Sequence, residues 1–227
     1  MVSFLLNNDL PCVLLTGFEP FGGDDVNPSW MAVQALVGQM IAGHNVIAEQ
    51  LPTEFYASQT TISKLLRKHR PALVIAVGLA GGRAGLSLER IAINVQDARI
   101  ADNAGAQPID LAVVKSGPAA YFSTLPIKAM LQALMDEGIS AEISQTAGTF
   151  VCNHVFYLLM HALKKQKTTN AIYNTPAARG GFVHVPYLPG QGLPCMALEE
   201  MTRGLKTAVL CALTTEHDVV VQAGALS

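Results

Sequence analysis

Short apolar segments alternate along this chain of 227 residues with longer segments whose apolar residues recur every three to four positions. The clearest short segments are residues 12–16, 73–77 and 181–185. Apolar runs of this length are typical of strands covered on both faces, as in a parallel sheet, and the longer segments are typical of amphipathic helices. The alternation therefore predicts an α/β sandwich with a largely parallel sheet.

No repeat or linker interrupts this pattern, which predicts a single domain over residues 1–227. Residues 1–10 are expected to be a frayed extension. Residues 97–117 form the longest irregular stretch, and such loops are often functional. Further strands are predicted at residues 45–49, 90–95 and 141–144, with Gly78 ending the strand at 73–77. Helices are predicted from about Ser29, over 55–69, from Pro126 to near Gly138, over 152–165 and over 196–213.

Charged residues are scarce, at 14% of the chain against about 25% in average soluble domains. A chain this apolar does not fit disorder, and a net charge of −2 argues against nucleic acid as a partner. The longest apolar runs are too short to span the ~30 Å of membrane hydrocarbon. The first ten residues lack a basic segment and contain Asn7, Asn8 and Asp9, which does not fit a secretory signal.

The four cysteines are widely separated and form no Cys-x-x-Cys pair. With no sign of secretion, this pattern indicates reduced thiols and a cytoplasmic protein. The six histidines form neither a His-Glu-x-x-His motif nor a pair four residues apart, so no metal site is predicted. His154 and His161 could share a helix face, but surface or core positions explain them equally.

A glycine cluster at residues 78–85 follows a predicted strand. It could cradle a phosphate, but it matches neither the dinucleotide-binding nor the P-loop spacing. A tight loop whose amides face some other ligand is the preferred interpretation, because glycine lets the backbone approach closely.

Cys152 lies where a loop enters a predicted helix, and a helix N-terminus lowers the pKa of a thiol and favours the reactive thiolate. His184 stands near the carboxyl end of a predicted strand, where open α/β sheets place their sites, and could act as the base. Glu89 is a carboxylate beside an apolar strand and could orient the imidazole. Spacing alone leaves a structural cysteine and a core histidine as the alternative. Cys12, in a strand, and Cys195 and Cys211, both expected in the last helix, lack this setting.

Seven blocks of sequence occur in a recognisable order: LLTGFEPFGG (14–23), NPSW (27–30), VGLAGGR (77–83), LERIAIN (88–94), DARIADN (97–103), TAGTFVCNH (146–154) and GFVHVPYLP (181–189). With these blocks the chain resembles the pyroglutamyl peptidase I (pyrrolidone-carboxylate peptidase) family of cysteine peptidases over nearly its whole length. The resemblance implies a three-layer α/β/α sandwich with a mixed, mostly parallel sheet, like that of phosphorylases and related hydrolases. It also implies hydrolysis of the N-terminal pyroglutamyl residue of peptides through a thioester acyl-enzyme, without metal or other cofactor.

The resemblance carries the family's nucleophile onto Cys152, its histidine onto His184 and its acid onto Glu89. Substrate-binding residues implied in the same way are Phe18, Phe21, Asn27, Leu79, Arg99, Phe150 and Val151, with Arg99 expected near the reacting carbonyl. Family members often have glutamine where Leu79 stands and proline where Ala101 stands. These differences put a side-chain role at Leu79 and the rigidity of the loop at Ala101 in doubt.

The partners implied are peptides with N-terminal pyroglutamate and, because the family commonly forms homotetramers, further copies of this chain. Two alternative functions remain. A nucleoside phosphorylase or related hydrolase would use the glycine cluster for phosphate and leave Cys152 idle. A binding module would keep the pocket without the chemistry.

Overall fold

The structure is a computed structural model that describes residues 10–173 and 177–224, so most of the predicted N-terminal extension lies outside the described residues. The strands are β1 (Cys12–Phe18), β2 (Met40–Ile41), β3 (His44–Leu51), β4 (Leu73–Leu79), β5 (Leu86–Glu89), β6 (Ile91–Ile93), β7 (Ala120–Phe122), β8 (Ala141–Ser144) and β9 (Arg179–Val185). The helices are α1 (Pro28–Gln34), α2 (Phe55–His69), α3 (Ile127–Asp136), α4 (Val151–Tyr173) and α5 (Leu198–Thr214).

Seven strands form one mixed sheet in the order β2-β3-β1-β4-β9-β5-β8. The pairs β3–β1, β1–β4, β4–β9 and β5–β8 are parallel, whereas β5 runs antiparallel to β9 and β2 antiparallel to β3. The remaining strands, β6 and β7, form a separate antiparallel pair. The predicted fold, an α/β sandwich with a mixed, mostly parallel sheet, is confirmed.

Alternate residues of the central strands serve two different cores, one on each face of the sheet. In β4, Leu73, Ile75 and Val77 pack with α1, α3 and α5 on one face, while Val74 and Ala76 pack with α2 and α4 on the other. All five side chains are almost completely buried. Because both faces are covered, the strand has no position for a charged residue, which explains the apolar runs in the sequence.

Several predicted boundaries are wrong. β4 continues through Gly78 to Leu79, since β9 pairs with it along that whole length. The strand predicted at residues 90–95 is only β6, in the small sheet, and β2, β5 and β7 were not predicted. Cys195 lies outside α5, because the backbone around it is bridged to Tyr187 and Met196 donates a hydrogen bond to the Tyr187 carbonyl at 2.9 Å.

Within the described residues, no helix combines the length and the apolar character needed to cross a bilayer. β1, β4 and β9 are mutually parallel, so their carboxyl ends meet at one edge of the sheet. In open α/β sheets this edge is where ligand sites form.

Candidate active site

Cys152 lies in the first turn of α4, directly after the loop of residues 145–150 that links β8 to the helix. Burial raises the pKa of its thiol to about 12, the charge of Glu89 adds to the rise, and Arg83 opposes it. The predicted position at the helix N-terminus is found, but the pKa shift is opposite to the expected one. The resting group is therefore a neutral thiol that needs a base to become a nucleophile.

His184 and Glu89 form a buried pair between β9 and β5. The distance from His184 Nδ1 to Glu89 Oε1 is 2.7 Å, and the Glu89 residue is fully buried. A carboxylate can only accept, so Nδ1 donates and leaves Nε2 free to accept a proton. Burial lowers the pKa of His184, with a further contribution from Arg83, while Glu89 opposes the shift. The geometry therefore presents a neutral imidazole held in one tautomer.

Gly78 brings the thiol and the imidazole together. It is the residue of β4 paired with His184 of β9. A Cβ atom placed on Gly78 would lie 2.8 Å from Cys152 Sγ and 2.8 Å from the Phe182 ring. The thiol thus stands directly over Gly78, and the two strands are about 4.8 Å apart. From the sequence this glycine is predicted as a strand end and as the first residue of the glycine cluster, but not as the residue beneath the nucleophile.

Arg83 is a second residue to which the sequence analysis gave no role. Its Nη1 donates to Glu89 Oε1 at 2.7 Å, and its Nη2 donates to the Thr146 carbonyl at 3.2 Å. A sequence signal exists, because Glu89 was predicted beside an apolar strand and a buried carboxylate needs a cationic partner.

A small apolar cavity adjoins the thiol at the carboxyl ends of β1 and β4. Its volume is about 10 Å³, room for one water molecule at most. Two of its lining rings, those of Phe21 and Phe150, have centroids 6.2 Å apart. Entry of a five-membered ring therefore requires these side chains to move apart. The lining residues are Phe18, Phe21, Asn27, Thr53, Leu79, Phe150, Val151 and Cys152.

The structure thus brings together six of the seven residues predicted to bind substrate, and adds Thr53. Asn27 reaches the cavity, but its amide is bonded within the chain. Its Oδ1 accepts from the Ser29 amide and hydroxyl at 3.0 and 2.8 Å, and its Nδ2 donates to the Glu19 carbonyl at 3.0 Å. These bonds cap α1 and hold the cavity wall.

Arg99 is the residue that the structure does not place in the cavity lining. It is exposed in the irregular segment of residues 97–117. The nearby backbone of Asp97 is joined to the loop before the nucleophile, because Asp97 N donates to the Thr149 carbonyl at 3.0 Å and Thr149 Oγ1 donates to the Asp97 carbonyl at 2.7 Å. Arg99 is therefore carried near the loop but not into the cavity. Ala101 is exposed in the same segment.

The same segment supports the cavity from behind. Asp102 is buried and accepts the Phe55 amide at 2.8 Å, so it caps α2 from 47 residues away. Asn103 holds both sides of the wall, since its backbone amide donates to the Thr53 carbonyl at 3.1 Å and its side-chain amide to the Pro20 carbonyl at 2.9 Å. The longest loop in the chain is therefore part of the site's scaffold.

The glycine cluster packs against protein. A Cβ on Gly81 would lie 2.2 Å from the Tyr187 hydroxyl, and one on Gly85 would lie 2.4 Å from the Ser140 carbonyl. The space beside these two glycines is thus filled by other parts of the chain, which disfavours a phosphate cradle at this point.

In the described part of the chain, no three histidine, cysteine or acidic side chains are grouped as a metal site would require. His154 is buried with its ring edge-on to Phe55, and its ring nitrogens make no hydrogen bond of ordinary length to the described residues. His161 Nδ1 is 2.7 Å from the Tyr121 hydroxyl.

Known proteins similar to this chain agree with the geometry. The family model described as pyroglutamyl peptidase matches residues 12–215. The chain belongs to this family. It is a cysteine-type omega-peptidase, as the resemblance implied.

Among similar sequences, the pyrrolidone-carboxylate peptidase of Cupriavidus taiwanensis is 57% identical over 222 residues, covering 96% of this chain and all of that protein. The enzyme of the same name from Escherichia fergusonii is 49% identical and covers 94% of this chain and 98% of its own. Among solved structures, pyroglutamyl peptidase I of Bacillus amyloliquefaciens superposes with a TM-score of 0.86 at 44% identity, covering 92% of this chain and 100% of its own. Pyrrolidone carboxyl peptidase of Thermococcus litoralis gives 0.84 at 35% identity, covering 94% and 100%.

Proposed function

We propose that this protein hydrolyses the N-terminal pyroglutamyl residue from peptides, with Cys152 as nucleophile, His184 as general base and acid, and Glu89 as the group that orients His184. The observation that carries the proposal is the buried 2.7 Å contact between His184 and Glu89, beside a thiol that stands over Gly78. This arrangement provides a nucleophile, a base and an orienting group.

In the first step, Nε2 of His184 takes the thiol proton as Sγ of Cys152 attacks the pyroglutamyl carbonyl. The imidazolium then returns the proton to the leaving amine, and a thioester forms. Water, deprotonated by the same imidazole, attacks the thioester carbonyl; the C–S bond breaks, pyroglutamate leaves, and the imidazolium returns the proton to the departing Cys152 sulfur. Glu89 stabilises the imidazolium in both steps and keeps the tautomer correct. Backbone amides at the start of α4 stabilise the oxyanion; one such donor is typically worth about 3 kcal/mol. Arg99 is exposed and outside the cavity lining, so it assists only after its side chain turns towards the reacting carbonyl.

Specificity for pyroglutamate follows from the cavity. Phe18, Phe21, Phe150 and Val151 offer apolar surfaces to the faces of an uncharged lactam ring. A free α-amine would be rejected, because the cavity would bury its charge without a partner. Asn27 contributes by holding the wall, and Leu79 by its apolar surface. No metal or other cofactor takes part in this scheme.

The decisive assay follows release of a fluorescent amine from its pyroglutamyl amide. Cys152→Ala is expected to abolish release, and Cys195→Ala, at a partly exposed cysteine outside the site, is expected to retain it. Glu89→Gln is expected to slow turnover but leave residual activity, because the thiol, the imidazole and the oxyanion donors remain. Retained activity in Cys152→Ala contradicts the proposal.

Two other outcomes would favour the alternative functions. Phosphorolysis of nucleosides that survives alkylation of Cys152 would support the phosphorylase alternative. Binding of a pyroglutamyl peptide without turnover would support the binding-module alternative.

We also propose that the protein acts in the cytoplasm as a homotetramer. The four cysteines form no disulfide with one another, which supports a reducing compartment. Large exposed apolar side chains, including Ile109 and Phe122, support subunit contacts.

A further inference from the structure

One guanidinium group, that of Arg83, joins the acid of the proposed triad to the loop that carries the nucleophile. Arg83 lies in the loop between β4 and β5, and Glu89 ends β5. Its Nη1 bonds Glu89 Oε1 at 2.7 Å, and its Nη2 bonds the carbonyl of Thr146 at 3.2 Å, six residues before Cys152. The planar fork of arginine can make both bonds at once, which a lysine ammonium on its flexible stem cannot reproduce.

Glu89 needs this cation. The Glu89 side chain is fully buried, and a neutral His184 provides it with a hydrogen bond but no charge. Arg83, whose side chain is 24% exposed, supplies the positive charge from the solvent side. Arg83 and His184 both bond Oε1, while Oε2 has no partner among the described residues. The orientation of the carboxylate therefore depends on the two groups at one oxygen.

We propose that Arg83 is a positioning residue of this peptidase, which holds the Glu89 carboxylate against His184 and fixes the loop before Cys152 relative to that carboxylate. The inference rests on the proposed function, because it assigns Arg83 a part in the same triad. Arg83 does not touch the reacting atoms in this scheme.

The charges around His184 predict the direction in which the pKa of His184 changes when Arg83 is replaced. Glu89 of β5 bonds His184, Arg83 of the β4–β5 loop bonds Glu89, and Cys152 of α4 stands over Gly78, the residue paired with His184. Of the other titratable side chains in the first part of α4, His154 packs against Phe55, and Tyr157 and His161 pack against Tyr121. β4 and α1 contain no titratable side chain. Burial lowers the pKa of His184, Glu89 raises it, and Arg83 lowers it. Removing the Arg83 charge therefore raises the pKa of His184. The acid limb of kcat/KM, which reports the base of the free enzyme, moves to higher pH.

Two variants of the full chain separate charge from geometry. Arg83→Gln removes the charge, and we expect kcat/KM at pH 7 to fall at least about tenfold and the acid limb to rise by about one pH unit. Arg83→Lys keeps the charge but loses the bond to Thr146, so we expect a lower kcat with the acid limb at its wild-type position. A merely structural arginine would lower the rate without moving the limb in either variant.

Arg90→Gln is the matched control. Arg90 follows Glu89 and its Nε bonds Gln145 Oε1 in the same loop at 2.9 Å, but it makes no contact with the Glu89 carboxylate. We expect the control to keep the wild-type rate and pH profile. If Arg83→Gln folds and the acid limb of its kcat/KM profile stays at the wild-type pH, the proposal is overturned. If Arg83→Gln does not fold, Arg83→Met, which also removes the charge, replaces it in the same pH-profile test. A wild-type kcat in Arg83→Lys also overturns the proposal.

A second readout does not depend on peptidase activity. The rate at which iodoacetamide alkylates Cys152, followed by mass spectrometry of the peptide containing it, reports the thiolate. Arg83 lowers the pKa of this thiol, so Arg83→Gln is expected to react several-fold more slowly than the wild type at pH 8. Equal rates overturn the proposal. If the wild type fails to cleave the pyroglutamyl amide, the proposed function is rejected, while the alkylation rates still test whether Arg83 acts on Cys152.

Discussion

Gly78 sets how closely the thiol of Cys152 approaches the sheet. A side chain at this position would occupy the space of Sγ and of the Phe182 ring, each 2.8 Å from its Cβ. The Sγ atom of Cys152 must then move by up to about 1 Å. Displacements of this size are sufficient to disable a site whose reacting atoms need close alignment.

We therefore expect Gly78→Ala to lower kcat/KM for a pyroglutamyl amide by about 100-fold while costing only about 1–2 kcal/mol of unfolding free energy. The control is Gly224→Ala, because nothing lies within 4 Å of a Cβ there. Steady-state kinetics and urea denaturation of both variants provide the comparison. A folded Gly78→Ala protein with the wild-type rate would show that Sγ does not depend on this approach.

The buried His154 side chain makes the unfolding free energy depend on pH. Burial lowers the pKa of His154 to about 4, from an ordinary value of 6.5 in the unfolded chain. Between these values the unfolded state binds the proton and the folded state does not. The contribution of His154 to the unfolding free energy is therefore complete above pH 6.5, and it is lost as the pH falls towards 4.

The expected loss from this group is about 2 kcal/mol between pH 7 and pH 5. His154→Phe should remove that part of the slope, and His217→Phe, at an exposed histidine, should leave the slope as in the wild type. Urea midpoints at several pH values between 7 and 4.5 measure it. Parallel slopes for the wild type and His154→Phe would mean that His154 is protonated equally in both states.

At the level of elements, the segment of residues 97–117 acts as a brace although it contains no helix or long strand. Asp102 accepts three backbone amides, from Phe55, Ala104 and Ala106, at 2.8 to 3.0 Å. The first of these caps α2, whose own N-cap residue, Glu54, makes no side-chain capping bond. A single carboxylate thus joins the loop to the helix behind the cavity.

Asp102→Ala leaves these amides without an acceptor, so we expect a loss of about 2 kcal/mol or more of unfolding free energy and a higher KM. Asp97→Ala removes an exposed carboxylate from the same segment and should change stability by less than about 0.5 kcal/mol. Chemical denaturation compares the two. Equal stabilities would show that solvent satisfies the amides and that Asp102 does not brace the helix.

The elements also differ in how well the sequence predicts them. β1, β4 and residues 181–185 of β9 are predicted because both of their faces are buried in apolar cores, which makes most of their positions apolar. β5 is missed because only Leu86 and Leu88 belong to an apolar core, while Ser87 bonds Glu142 and Glu89 bonds His184, so its four residues alternate. The pocket residues were predicted from the resemblance, but the role of Arg83 depends on a contact 63 residues away that no local pattern encodes.

At the scale of the whole molecule, the shortage of charge is explained in part by the seven-stranded sheet. The central strands β1 and β4 are covered on both faces and contain no charged residue. The described surface nevertheless exposes large apolar side chains: Tyr56 at 71%, Ile109 at 72%, Phe122 at 67% and Leu193 at 82%. Scattered apolar residues are normal on a surface, but this many on a charge-poor chain favour subunit contacts.

Light scattering at micromolar concentration is therefore expected to give about four times the 24.1 kDa of one chain. Each chain contains its own Cys152, His184 and Glu89, so activity per chain should persist when dilution separates the subunits, with stability falling instead. Scattering and specific activity measured over the same dilution series test both parts. A monomer at every concentration contradicts the tetramer and leaves the exposed apolar residues without a partner. If activity is lost together with the tetramer, a neighbouring subunit supports the cavity.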